Sequence, residues 1–143
     1  FRRVLFRSQL IRKRTFETNS SSCHSFTRDW TDSVGLTTII PSDDTTIYVG
    51  LSGCYGWGRD EFTDPETKLD YICMQFFGDE EMLSEIKHIV ETHTGYKVEI
   101  SDQVDGYIDH QSKGILNSLR GDAEAIRNFI FNPAWELIID NDN

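Results

Sequence analysis

Cysteine and methionine are scarce in this chain of 143 residues, which holds three of the first and two of the second. Cys23, Cys54 and Cys73 are odd in number, widely spaced and without a CxxC pair. A disulfide-stapled scaffold carries an even, dense set, so free thiols in a reducing cytoplasm are expected. No apolar run approaches the roughly 18–20 residues of a bilayer span, so no membrane association is expected. There is no internal repeat and no low-complexity linker. Basic residues are also few beyond the first 14 positions. Six of the 14 Lys and Arg fall there beside no acid, leaving eight against 24 Asp and Glu from residue 15 onward. The formal net charge of −10 therefore conceals a body near −16. Phosphate recognition rests on Lys and Arg contacts, so direct nucleic-acid binding is not expected.

What is present suits one compact domain, with 38% hydrophobic and 12% aromatic residues, too many for a disordered chain. The opening FRRVLFRSQLIRKR is basic, free of acid, and lacks an apolar run of signal-peptide length. Position 1 is Phe, and Phe1 to about Ser8 resembles a translated sequencing adapter at the end of a metagenomic reading frame. Residues 1–14 are accordingly set aside as a basic, partly non-native leader, and 15–143 are expected to form a single α+β domain.

Short strands are expected at Thr15–Thr18, Leu36–Ile40, Thr45–Leu51, Tyr96–Ser101, Tyr107–Ile108 and Trp135–Ile139. Ser42-Asp43-Asp44 is short and polar, which makes a hairpin of the second and third. Asp64-Pro65-Glu66 has the order of an N-cap, a first-turn proline and an acid. The helix it opens is apolar nearly all round, with Leu69, Ile72, Cys73, Phe76 and Phe77 on one stripe and Tyr71 and Met74 widening it. Gly78-Asp79 breaks it and caps a second, amphipathic helix with Met82, Leu83, Ile86, Ile89 and Val90 inward, stopped at Thr94-Gly95. Asp122 opens a third, ending near Asn132-Pro133. The segregation of strands from helices points to a mainly antiparallel sheet of about 4–6 strands packed against about three helices.

Two strings carry candidate chemistry. Asn19, Ser20, Ser21, Ser22, Cys23, His24 and Ser25 place hydroxyls and a thiol beside an imidazole, the materials of a nucleophile and a base. Ser and Asn equally close turns through side-chain-to-backbone bonds, and adjacency in sequence is not adjacency in space. Asp109, His110, Gln111 and Ser112 offer an imidazole with an orienting carboxylate. An EF-hand does not fit, because aligning Gly106 to the loop glycine puts Ser112 where a Glu is needed. Cys23, His24, Cys54 and His110 lack a recognised zinc spacing, so neither metal nor cofactor is expected. The loop Gly53-Cys54-Tyr55-Gly56-Trp57-Gly58 lacks the Gly-Lys-Ser/Thr ending of a phosphate loop. Its Tyr55 and Trp57 suit a binding loop or an aromatic plug of the core. His88 and His93 read as ordinary, partly exposed residues.

The segment Arg14-Thr15-Phe16-Glu17-Thr18-Asn19-Ser20-Ser21-Ser22-Cys23-His24-Ser25-Phe26 resembles the start of a phage and bacterial family of uncharacterised proteins, which open with Phe-Glu-Thr-Asn-Ser-Ser-Ser-x-His-Ser. Gly106-Tyr107-Ile108-Asp109-His110-Gln111-Ser112 is a second specific match, and the Gly-Trp loop, Phe129–Asn132 and the Asp-Asn-Asp ending are looser ones. Cys23 departs from the pattern, where another small polar residue is expected. The resemblance implies a phage- or prophage-encoded cytoplasmic protein of a bacterial cell, and gives the two strings weight as one site. It implies no reaction. Two functions follow: a non-enzymatic acidic domain binding a basic host protein, or a small enzyme or ligand binder. In the second, His24 or His110 is the base, a serine or Cys23 the nucleophile, and Asp109 the orienter.

Overall fold

The computed structural model describes residues 23–27, 35–56, 58–108 and 114–141. Three aspartates set where its helices begin. Asp64 accepts from Thr67 N at 2.9 Å, Asp79 from Met82 N at 3.1 Å and Asp122 from Ala125 N at 3.0 Å. Each carboxylate replaces a helical acceptor that the first turn lacks. The helices are α1 (Pro65–Gln75), α2 (Glu80–Thr94) and α3 (Ala123–Phe131). Gly95, at φ +81°, ends α2 in the left-handed turn that a side chain would strain. A 3₁₀ turn at Asn117–Leu119 precedes α3.

Among the described residues seven strands accompany them: β1 (Cys23–Phe26), β2 (Thr46–Val49), β3 (Cys54–Tyr55), β4 (Gly58–Phe62), β5 (Lys97–Ile100), β6 (Tyr107–Ile108) and β7 (Leu137–Asn141). The largest sheet is antiparallel, with β7 between β1 and β4. Its register aligns His24 with Ile139 and Asp60, and Phe26 with Leu137 and Phe62. The class is α+β in one small domain, as the segregation of elements indicates. The described strands are divided, however: β2 pairs with β5 and β3 with β6, both in parallel.

The hairpin expected from Leu36–Ile40 and Thr45–Leu51 does not form. Residues 35–40 are not a strand; Thr37 donates its amide and hydroxyl to the Phe131 carbonyl, docking the segment on the end of α3. Asp43 accepts from Thr45 and Thr46, turning the chain into β2, which finds its partner in β5. Cys23–Phe26, equally readable as a turn, is a strand. The last strand begins at Leu137, two residues later than expected, because Trp135 belongs to a turn closed on the Asn132 carbonyl. Phe77, placed on the apolar stripe of α1, is 44% exposed just beyond the helix.

Helix α1 packs on α3, β2 and β6, while α2 packs on α3 and β5. Leu69, Tyr71, Ile72, Cys73, Ile86, Ile126, Phe129, Phe131 and Trp135 are all buried. Burying one such side chain contributes roughly 1.5–3 kcal/mol, so α1 alone anchors a large part of the core. Its burial also takes Lys68 fully out of solvent. The Lys68 Nζ donates to the carbonyls of Asn132 and Trp135, both at 2.9 Å, pinning the turn between α3 and β7.

Burial pushes the Lys68 amine down from 10.5 to about 8, against the opposing pull of Asp64 and Glu136. A neutral amine still has two N–H groups for the two carbonyls, so the pinning survives loss of the charge. Below pH 8 the amine is charged in both folded and unfolded chains. Between about 8 and 10.5 the unfolded chain holds a proton the folded one lacks, so this group adds stability as pH rises. Lys68→Met orphans both carbonyls and is expected to cost ~2–4 kcal/mol in urea unfolding at pH 7.5. Its deficit should grow by ~2 kcal/mol at pH 10; a deficit that stays constant with pH would refute the assignment.

Candidate functional site

Alternation along β1 splits the first candidate string between two faces. His24 points inward and is 6% exposed, whereas Ser25 is exposed on the opposite face. These two residues therefore do not form one site. Asn19, Ser20, Ser21, Ser22, Asp109, His110, Gln111, Ser112 and Trp57 lie outside the described residues, as does the strand expected at Thr15–Thr18.

His24 Nδ1 lies 2.8 Å from the Tyr71 hydroxyl on α1. The Gln75 amide donates through Nε2 to the same hydroxyl oxygen at 2.9 Å, and its Oε1 accepts from Gly114 N at 3.0 Å. The direction of these bonds follows from one fixed point. A backbone N–H can only donate, so Gln75 turns its oxygen to Gly114 and its NH₂ to Tyr71. The Tyr71 oxygen is thus an acceptor from Gln75, and it lies within hydrogen-bond distance of His24 Nδ1 as well. Burial raises the Tyr71 pKa, outweighing the lowering effect of the Gln75 donor, so the hydroxyl keeps its hydrogen.

A second polar group on α1 faces the glycine-rich loop. Asp70 accepts from Leu51 N at 2.8 Å through Oδ1, and from Gly53 N at 3.2 Å and the Tyr55 hydroxyl at 2.9 Å through Oδ2. Leu51 sits at φ +57°, a conformation that costs a residue with a Cβ ~1–3 kcal/mol. The Asp70 bond and full burial of the leucine side chain hold it there. From the other side, Leu51 O accepts from Asp105 N and Gly106 N. Any Cβ at Gly106 would run into the Gly53 carbonyl, so this approach requires glycine. Tyr55 is the aromatic plug of the two alternatives for this loop: it is buried, with its ring edge-on to Tyr71 at 5.0 Å. Burial, then the charge of Asp70, pushes its hydroxyl pKa far up, which keeps it a donor.

His93 serves the fold as well, donating from Nε2 to the Thr37 carbonyl at 2.8 Å and stacking on Phe131 at 4.0 Å. His88 is exposed. Burial pushes the Cys73 thiol far up and leaves it unreactive, while Cys54 is exposed on β3. Among the described residues no three His, Cys, Asp or Glu side chains stand where they could hold a metal ion. No helix among them is long and apolar enough to cross a membrane.

An open depression of about 700 Å³ lies between the end of α1, the start of α2 and the 3₁₀ turn. Two of its charges answer each other: Arg120 pairs with Asp79 at 2.6 Å and lies over the Phe76 ring at 4.8 Å. The Arg120 bond is the largest influence holding the Asp79 carboxyl below its ordinary range. No family model matches the chain, and neither a curated protein nor a solved structure does.

The residues that organise this interior, Lys68, Asp70, Tyr71 and Gln75, are not among the sequence-derived candidates. Part of their signal was available: a polar residue that falls on the apolar side of a helix is drawn out of water and therefore paired. Asp70→Ala removes the acceptor of two backbone amides and one hydroxyl, and is expected to destabilise by roughly 3 kcal/mol. Hydrogen exchange should show lost protection at Leu51 and Gly53, with Asp70→Asn intermediate; unchanged protection there would contradict the role.

Proposed function

We propose that this chain is a phage-type accessory protein, a non-enzymatic acidic interaction domain whose partner is a basic protein of the host cell. The observation that carries this is the distribution of surface charge. Among the described residues the exposed bases are Arg59, Lys87, Lys97 and Arg120. Arg59 is paired with Asp140 and Glu61, and Arg120 with Asp79. Asp60, Glu61, Asp64 and Glu66 are exposed along the edge strand β4 and into the first turn of α1. A surface of this kind attracts a basic partner and speeds encounter, with an effect that salt screens.

One observation favours the alternative, a small enzyme or ligand-binding site. The Tyr71–Gln75 bridge ties His24 to Gly114, which follows Ser112 by two residues in the chain. The two readings separate on one experiment. Immobilised protein is challenged with host lysate at roughly 50 mM salt, where the Debye length exceeds the ~8 Å of physiological salt. The expected result is capture of a basic protein that elutes on raising the salt and binds at least tenfold more weakly to Asp60→Lys/Glu61→Lys. No capture at low salt, or capture indifferent to both salt and the double variant, overturns the acidic-interaction reading.

A further inference from the structure

We propose that the outer edge of β4 docks one extended, basic segment of the partner protein, which adds to the sheet as a further antiparallel strand. This rests on the acidic-interaction reading and names the surface that serves it. The three-stranded sheet ends at β4. In an antiparallel pair every second residue turns its N–H and C=O away from the neighbouring strand, so the side of β4 turned from β7 carries a row of main-chain donors and acceptors. Among the described residues no strand pairs with that row and no side chain caps its amides. On β5, by contrast, Glu91 Oε2 accepts from Val98 N at 2.9 Å, so a side chain already fills an amide of that strand.

Successive side chains of a strand point to opposite faces, yet Arg59, Asp60 and Glu61 are all exposed, so β4 meets water from both faces. Register fixes the face each one takes. Asp60 lines up with Ile139 and Phe62 with Leu137 on the face turned to the core, while Arg59 and Glu61 line up with Asp140 and Ile138 on the other. Phe62 is partly buried, its ring edge-on to Tyr55 at 6.1 Å. An added antiparallel strand reads β4 in reverse and sets its residues opposite Phe62, Glu61 and Asp60 in that order. An apolar side chain suits the first position, lengthening the row Phe26–Leu137–Phe62, and Lys or Arg suits the other two. The segment so specified reads apolar–basic–basic from its N-terminal end.

The charges make this edge selective. A neutral or acidic strand would crowd Asp60 and Glu61 without answering them, whereas a basic one answers both. Arg59, the one base of the strand, leaves room for it. Its shorter bond, 2.9 Å, goes to Asp140 on β7, and its 3.4 Å contact with Glu61 joins two groups about half exposed, where an ion pair contributes little. Glu61 can therefore exchange that contact for an incoming base. Asp64 and Glu66, exposed just past the end of β4, carry the negative field on toward the N-terminal end of the incoming segment and steer its approach.

The test pairs the full chain with a synthetic peptide of about ten residues, Val-Arg-Lys at its centre and Thr and Ser on either side. Two further copies are N-methylated at alternate amides in opposite phase, which blocks main-chain bonding on one side and leaves the charge unchanged. With the parent peptide bound, every second amide from Arg59 to Phe62 is expected to gain at least tenfold protection from hydrogen exchange. One methylated copy should bind at least tenfold more weakly, and the other as the parent does. If both copies bind like the parent and all three are released by salt, strand addition is overturned and the acidic-interaction reading stands. No binding of the parent peptide also overturns strand addition, while capture from lysate still tests the acidic reading by itself. Protection of the same alternate amides that needs no peptide and grows with protein concentration overturns it too, by giving the edge to a second copy of the chain.

Discussion

Helix α1 lies inside the molecule carrying side chains that water would ordinarily serve, and the surrounding architecture is the set of answers to that constraint. Lys68 is answered by two carbonyls of the α3–β7 turn, Tyr71 by β1 and Gln75, and Gln75 also by the chain entering the 3₁₀ turn. Asp70 is answered by the loop between β2 and β3. An unmet polar group here would cost more than a met one contributes, so these contacts fix position more than they add stability. Apolar packing makes the interior compact, whereas the four polar side chains decide which loop sits against which turn of the helix.

The helices were legible because their signals are local. A cap, a first-turn proline and a glycine stop lie within a few residues of the element they define, and Asp64, Asp79, Asp122 and Gly95 all act at those positions. The sheets were less legible because their partners are distant. In β1 the residues turned inward are His24 and Phe26, and a histidine inside defeats a reading based on apolar alternation. In β4, Gly58-Arg59-Asp60-Glu61-Phe62 is charged in the manner of an edge strand and carries no alternating signal at all. Pairing of β2 with β5 is decided by where α1 and α2 place the chain, which no neighbour of Thr46 encodes.

The candidate site was half visible for the same reason. Residue types marked out His24, whereas Tyr71, which meets its ring, and Gln75, which donates to Tyr71, carry no such mark in the sequence. Polarity supplied by a main-chain amide, passed through two side chains to an imidazole, is a property of the assembled fold.

The three-stranded sheet is completed by residues from opposite ends of the described chain, since β7 joins β1 as well as β4. During synthesis, β1, β4 and the α1–α2 pair leave the ribosome while the strand that must lie between β1 and β4 is still untranslated. The inward residues His24, Phe26 and Phe62 then wait without Ile139 and Leu137 beside them. The nascent chain thus passes through an interval with two unpaired strand edges, the stage at which chaperones protect and neighbouring chains aggregate. The charges of Arg59, Asp60 and Glu61 on one of those edges are well placed to keep it soluble until the C-terminal strand arrives.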